Sequence, residues 1–403
     1  MRVPFLGVIV LCATAFVHAA AAAPADTFAV RWEPDQPAVL NAPNADPLAA
    51  GDSLPTPPSY TENHGRWLSD GTSDATGCGN QDCVSCLLCP RGYAYAESLF
   101  MTRTNGNATQ PILFDVAGGT LLATNDLNFN WSPGLRAGAG VRLCDSLYLD
   151  LGYLGLYDSH ASATFNQGNS GIWAILPNPI GPVPDLFTIP KQVRVDYWSQ
   201  LNSFELNLLC CDCCCSTDPC DGITCGRSLE WFGGFRYISL TERLLISGDV
   251  GRKLPDGRDC LGEYDLSTNN NLYGAQLGAR TRYCCGRFGY EATGKAGIYG
   301  NDANEKQTWI DWPRDFPLRP TVTGRGAQVA FVGEINLSAI YQLTKTWNVR
   351  AGYNLLWING VALAPNQLDF TNDNYNPPIS GSQLNTDGGV FYHGASIGLE
   401  ARW

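Results

Sequence analysis

The chain has 403 residues, 44% hydrophobic and only 16% charged, with 38 acidic against 26 basic side chains and a net charge of −12. That apolar content excludes a fully disordered chain, and the acidic balance, with no dominant basic patch, argues against nucleic acid as a partner. The charged fraction sits well below the usual figure of about a quarter, as expected when much of the surface faces something other than water.

The chain opens on Arg2 and an apolar run over 3–17, followed by small residues around Val17-His18-Ala19 and Ala19-Ala20-Ala21. This predicts a secretory signal peptide over 1–23, too short for a membrane helix. Leu11 occupies the place where a lipid-modified Cys12 would need a small residue. Nowhere else does an apolar run reach the ~18 residues of a membrane helix. Residues 24–77 are rich in Pro, Ala, Asp and Ser without a period, which predicts a flexible linker. A cysteine-rich segment, CGNQDCVSCLLC, occupies 78–90, and from 91 to 403 the texture is alternation.

Taken in chain order, a period of two predicts strands near 92–101, 134–143, 146–157, 193–209, 228–240, 271–283, 286–300, 326–343, 346–357 and 389–403. In the ninth, Trp347, Val349, Ala351, Tyr353, Leu355 and Trp357 alternate with Asn348, Arg350, Gly352 and Asn354. Phase breaks at 154–156 and 199–203 predict β-bulges. Strands this long exceed the usual 5–6 residues. Their polar faces carry charge and glycine, and their connections alternate between short and long. A soluble β-sandwich is the rival reading. We expect an all-β fold, an antiparallel transmembrane β-barrel of about ten strands (8–14 allowed), because only a closed sheet pairs all its backbone groups in lipid.

The last strand, YHGASIGLEARW, ends on Trp403 with apolar residues at every second position. It resembles the terminal strand that the barrel-assembly machinery reads in bacterial outer-membrane proteins. With RAGYNLLWINGVALAPNQ and GYAYAESLFMTR, the chain resembles the planctomycete-type "putative β-barrel porin" family over about 93–403. The resemblance implies a place in the outer membrane, lipid as the surrounding partner and a pore. It implies no catalytic residues and says nothing about the cysteines.

With Trp403 in the periplasm, alternating strand direction places 344–345, 284–285, 144–145 and the segment 210–227 on the periplasmic side. The segments 102–133, 158–192, 241–270, 301–325 and 358–388 then fall outside as loops. Fourteen cysteines land on the periplasmic rim: Cys78, Cys83, Cys86, Cys89, Cys144, Cys210, Cys211, Cys213, Cys214, Cys215, Cys220, Cys225, Cys284 and Cys285. Only Cys260 lies in an outer loop. Export into an oxidising space favours disulfides for them. A metal site using the C-x2-C spacing of Cys83 and Cys86, thiol–disulfide exchange, and bonds to another copy or another envelope protein are the rivals.

The lumen is predicted to hold Arg136, Arg142, Asp150, Glu230, Arg236, Arg280, Arg282, Glu291, Lys295, Glu334, Arg350 and Glu400, with Arg402 beside them. This is either a salt-bridged filling or a narrow pore with a slight positive excess. Ten strands sit near the filled end of the size range. The histidines left after signal cleavage (His64 in the linker, His160 in a loop, His393 facing outward) have no motif around them, and no catalytic or phosphate-binding signature occurs. The Asp and Asn residues of 369–376 read as solvated rather than as a calcium site. No enzyme activity, cofactor or resident metal is expected. The function read from the sequence is a porin-like passive channel for small polar solutes. A plugged structural envelope protein with a disulfide-linked periplasmic platform, and a soluble secreted cysteine-rich β-protein, stand as alternatives.

Overall fold

The computed structural model describes residues 90–104, 110–115, 119–144, 147–166, 172–174, 191–217, 224–253, 257, 259–312, 316–317, 321–368 and 384–403. The segments expected as signal peptide (1–23) and linker (24–77), cysteines 78–89 and residues 369–376 lie outside these residues. Ten long strands form the wall: β1 (Gly92–Arg103), β2 (Ser132–Cys144), β3 (Leu147–Asn166), β4 (Gln192–Thr217), β5 (Thr224–Lys253), β6 (Asp259–Cys285), β7 (Phe288–Trp312), β8 (Val322–Gln342), β9 (Trp347–Val361) and β10 (Gly388–Arg402). Each pairs antiparallel with its chain neighbours, and β10 pairs with β1 from Tyr93↔Arg402 to Arg103↔Tyr392, which closes the sheet. The fold is a ten-stranded antiparallel barrel, the strand number that the alternation predicts.

The strands are longer than predicted at one end. Segments 241–270 and 301–325, expected as loops, are largely strand: β5 and β6 stay paired out to Lys253↔Asp259, and β7 runs to Trp312. The cause is an inversion of polarity along each strand. Near the short turns the outward face is apolar and exposed, as at Leu277, Ile298, Phe288, Trp231 and Leu208. Farther along the same strands the inward face becomes apolar (Leu244, Ile246, Tyr264, Leu266, Trp309), while Arg243, Asn269 and Asp302 point outward. The segment 210–227, expected as a long turn, is mostly a paired hairpin from Cys210↔Trp231 to Thr217↔Thr224. The two expected bulges reduce to one: register slips on β3 between Leu156 and Ser159, where Asp158 has φ 54°, while β4 keeps its phase opposite.

The interior is stacked in tiers. Tyr93, Tyr148, Leu209 and Phe232 close the end with the short turns. A polar layer follows, then an apolar tier of Leu99, Met101, Leu154, Ile238, Leu272, Val332, Leu356 and Tyr392. At the far end Ile112, Leu113, Leu122 and Phe129, from the segment joining β1 to β2, fold inward against Val195, Tyr197 and Trp309. A small three-stranded sheet (Pro111–Asp115, Thr120–Ala123, Ile172–Ala174) supports that cap. Among the described residues no helix is long and apolar enough to cross a membrane.

Candidate functional site

Alternation aims the polar layer inward, since residues two apart on a strand share a face. Arg350 on β9 donates from Nε to Glu97 at 2.8 Å and from Nη2 to Glu291 at 2.6 Å, and its Nη1 pairs with Glu400. Arg282 on β6 donates to Glu291 at 2.9 Å and to Glu400 at 3.0 Å, and Arg402 pairs with Glu400. A second group centres on Glu334, which takes Arg236 at 2.8 Å, Lys295 at 3.2 Å and Arg136 at 3.4 Å. Lys295 also reaches Glu205 at 2.8 Å, and Arg136 links the two groups by reaching Glu97 at 3.4 Å. Arg280 donates to Glu230 and to the Tyr93 hydroxyl, both at 3.1 Å, and Tyr93 in turn donates to Asp150. Gly140 makes room for that tyrosine: a Cβ there would sit 2.4 Å from the Tyr93 ring.

Of the twelve lumen positions named from the sequence, eleven meet in this layer. Arg142 does not; it is half-exposed at the rim, where its amide bonds Arg91. Two members were missed, Glu97 and Glu205. Their addition corrects the expected positive excess: Arg136, Arg236, Arg280, Arg282, Lys295, Arg350 and Arg402 face Glu97, Asp150, Glu205, Glu230, Glu291, Glu334 and Glu400, seven against seven. A balanced lattice of ion pairs satisfies its own charges, so it needs no counter-ion. One cavity in this layer, beside Tyr93, Asp150, Glu205 and Lys295, measures about 50 Å³. At ~10–15 Å³ per water that is room for a few water molecules. Above it lie the two apolar tiers.

A separate buried pair, also missed, lies higher. Arg103 pairs with Glu242 across the lumen and stands over the rings of Phe129 at 4.6 Å and Tyr197 at 5.2 Å. On the outer wall, His160, expected in a loop, lies on β3 and stacks on Trp198 at 5.0 Å, with Asp196 at 3.0 Å from its Nε2. Burial pushes the Asp196 carboxyl up, but hydrogen bonds from Arg194 and His160 outweigh it and hold it below the ordinary value. His393 faces outward and shares a 2.8 Å hydrogen bond with Tyr353.

At the end with the short turns, Cys225 stands opposite Cys285 in the β5–β6 register, and Gly226 opposite Cys284. Cys144 and Cys210 both pair with Leu147 from either side and are exposed there with free thiols. Gly92 and Trp403 bond each other at the same end. Cys260 lies at the start of β6, at the opposite end. The side chains of cysteines 211–225 lie outside the described residues. Among the described residues no cluster of His, Cys, Asp and Glu has the arrangement of a metal site.

Residues 94–308 match the family model described as Putative beta barrel porin-7. No curated protein matches the chain. Among solved structures, the outer membrane protease OmpT from Escherichia coli is 13% identical over 79% of this chain and 100% of its own, with a TM-score of 0.44. A Pseudomonas aeruginosa FadL homologue is 6% identical over 77% of this chain and 89% of its own, TM-score 0.22. The Pseudomonas putida toluene transporter TodX is 8% identical over 83% and 94%, TM-score 0.20.

Proposed function

The chain belongs to the family described as Putative beta barrel porin-7, and on that footing we propose that it spans the bacterial outer membrane as a plugged barrel. Its role is that of a structural envelope protein rather than an open pore. The observation that carries this reading is the filled lumen, with an ion-pair layer, an apolar tier and an inward-folded cap in series. The exposed apolar wall from Phe288 to Ile298 on β7, and its neighbours on the other strands, supplies a lipid-facing belt. Lipid is the surrounding partner, and the end bearing Trp403 faces the periplasm, where the assembly machinery takes hold of the last strand.

On the same reading the cysteine-rich rim is a disulfide-linked platform. The register supports it, since it sets Cys225 directly opposite Cys285. Peptide mapping by mass spectrometry without reduction tests the platform; a bond from Cys260 to any rim cysteine would contradict it. Bonds of this kind each stabilise by ~2–4 kcal/mol through the unfolded chain.

A narrow channel for small polar solutes is the second reading. Family membership and the polar cavity beside Tyr93, Glu205 and Lys295 favour it. Liposome swelling separates the two. Vesicles carrying the folded protein should swell in urea or glycine no faster than empty vesicles, whereas faster swelling would support the channel.

A further inference from the structure

The segment after β9 leaves the wall and runs into the lumen. At Gly360 φ is +84°, and a Cβ there would meet the Val329 carbonyl oxygen at 2.5 Å. The β9–β10 register slips at this point, between Asn359 and Val361. Beyond it Val361, Ala362, Leu363 and Ala364 are 0% exposed. Such burial is unusual for a connection, whose backbone polar groups normally need water.

Those groups find side chains of the opposite wall instead. The Ala364 amide donates to Glu242 on β5 at 2.9 Å. Asn270 on β6 donates to the Ala362 carbonyl at 2.8 Å and accepts from the Ala362 amide at 2.7 Å, a two-way pair like that of a neighbouring strand. From β7, Asn301 donates to the Gly360 carbonyl at 3.0 Å and Gln307 to the Gln367 carbonyl at 3.1 Å. Val361 and Leu363 belong to the middle apolar tier, and Ala364 and Leu368 to the outer one. The segment therefore ties both tiers together.

We propose that residues 360–368 are a strap that closes the barrel in series with the ion-pair layer, latched to the wall by Glu242, Asn270, Asn301 and Gln307. This rests on the plugged-barrel reading. The latch consists of hydrogen bonds and no ion pair, so the strap can leave the wall without stranding a charge in the lumen. Because Ala364 and Leu368 pack in one cluster with Ile112, Leu113 and Phe129 of the cap, its departure would also loosen the cap and open the outer half of the lumen towards the ion-pair layer.

Single-channel recording on the folded full chain tests the series arrangement. One variant replaces 362–387 with a two-residue Asn-Gly turn, since Val361 and Gly388 are directly paired and such a turn closes an antiparallel pair. A second, Arg350→Ala with Glu291→Ala, thins the ion-pair layer without changing its net charge. The strap deletion alone and the double substitution alone should each stay at or near baseline, and the combination should conduct several-fold more than either. A combination no better than the double substitution, or a strap deletion that conducts by itself, would overturn the proposal. Asn270→Ala with Asn301→Ala on the double-substituted background is an independent check. It should raise the frequency of openings, and an unchanged frequency counts against the latch. Steady conductance of the unaltered protein would instead sink the plugged-barrel reading itself.

Discussion

Glu334 on β8 takes Arg236 from β5, three strands away round the barrel, in a 2.8 Å bond that crosses the lumen. Lys295 and Arg136 reach the same carboxylate from two other strands. Removing it takes a partner from three buried cations at once: Lys295 and Arg236 are left to share Glu205, and Arg136 keeps Glu97 at 3.4 Å as its carboxylate. Glu334→Ala is expected to cost about 3–5 kcal/mol, the range for breaking a buried ion pair. Arg236→Ala should cost less, because Glu334 keeps two partners. Urea unfolding in lipid vesicles measures both, and a neutral Glu334→Ala would show that the lattice is not holding the wall.

The lipid-facing belt makes a positional prediction. Leu277 is 74% exposed on the outward face of β6. Placed at mid-belt, Leu277→Arg should destabilise the inserted barrel by about 2–4 kcal/mol. Ser267→Arg, farther along the same face and beyond the belt, should be close to neutral. Equal effects in the same unfolding assay would mean that the apolar wall does not face lipid.

Gly360 is where the chain turns inward, with positive φ and a carbonyl in the place a side chain would take. Gly360→Ala should cost at least the ~1–2 kcal/mol of an L residue held in the left-handed region. It should also speed hydrogen exchange at the Ala362 and Ala364 amides more than at β10. Unchanged exchange at those amides would separate the turn from the strap.

Asp196 lies beyond the belt, bonded by Arg194 at 2.6 and 2.9 Å and by His160 at 3.0 Å. Its folded-state carboxyl titrates below its ordinary value. A lowered carboxyl stabilises the fold above the unfolded value, about 3.9, and loses that contribution as pH falls through the lowered value. Asp196→Asn should therefore show a smaller drop in thermal midpoint between pH 7 and pH 3 than the unaltered protein. An identical drop in both would remove this cluster from the acid response.

Much of the wall was legible because a period of two survives any context that buries one face. What hid was the length of β5, β6 and β7. In the belt the apolar side is outward, but beyond it Leu244, Tyr264 and Trp309 turn the apolar side inward, so a reading tuned to one polarity stops where the polarity flips. Glu97 hid for a related reason. Its strand carries Tyr93, Tyr95, Leu99 and Met101 on the inward face, and the more apolar face looked like the outer one. Glu205 sits in phase with Ser203 and Asn207, but a bulge expected at 199–203 blurred that phase; the slip is on β3 instead. Nothing in the pattern says that 360–368 folds inward, since a run such as VALAPNQL reads equally as a loop lying on a membrane surface. That fact belongs to pairings between Asn270 and Ala362, 92 residues apart.

Closure of the lumen is what separates a plugged barrel from a pore. Planar-bilayer recording of the purified barrel, its folding verified by a heat-dependent shift in gel mobility, measures this most directly. A filled lumen predicts bilayers that stay at baseline, with at most rare brief openings, in either polarity of applied voltage. Steady ohmic current through single inserted barrels would contradict it.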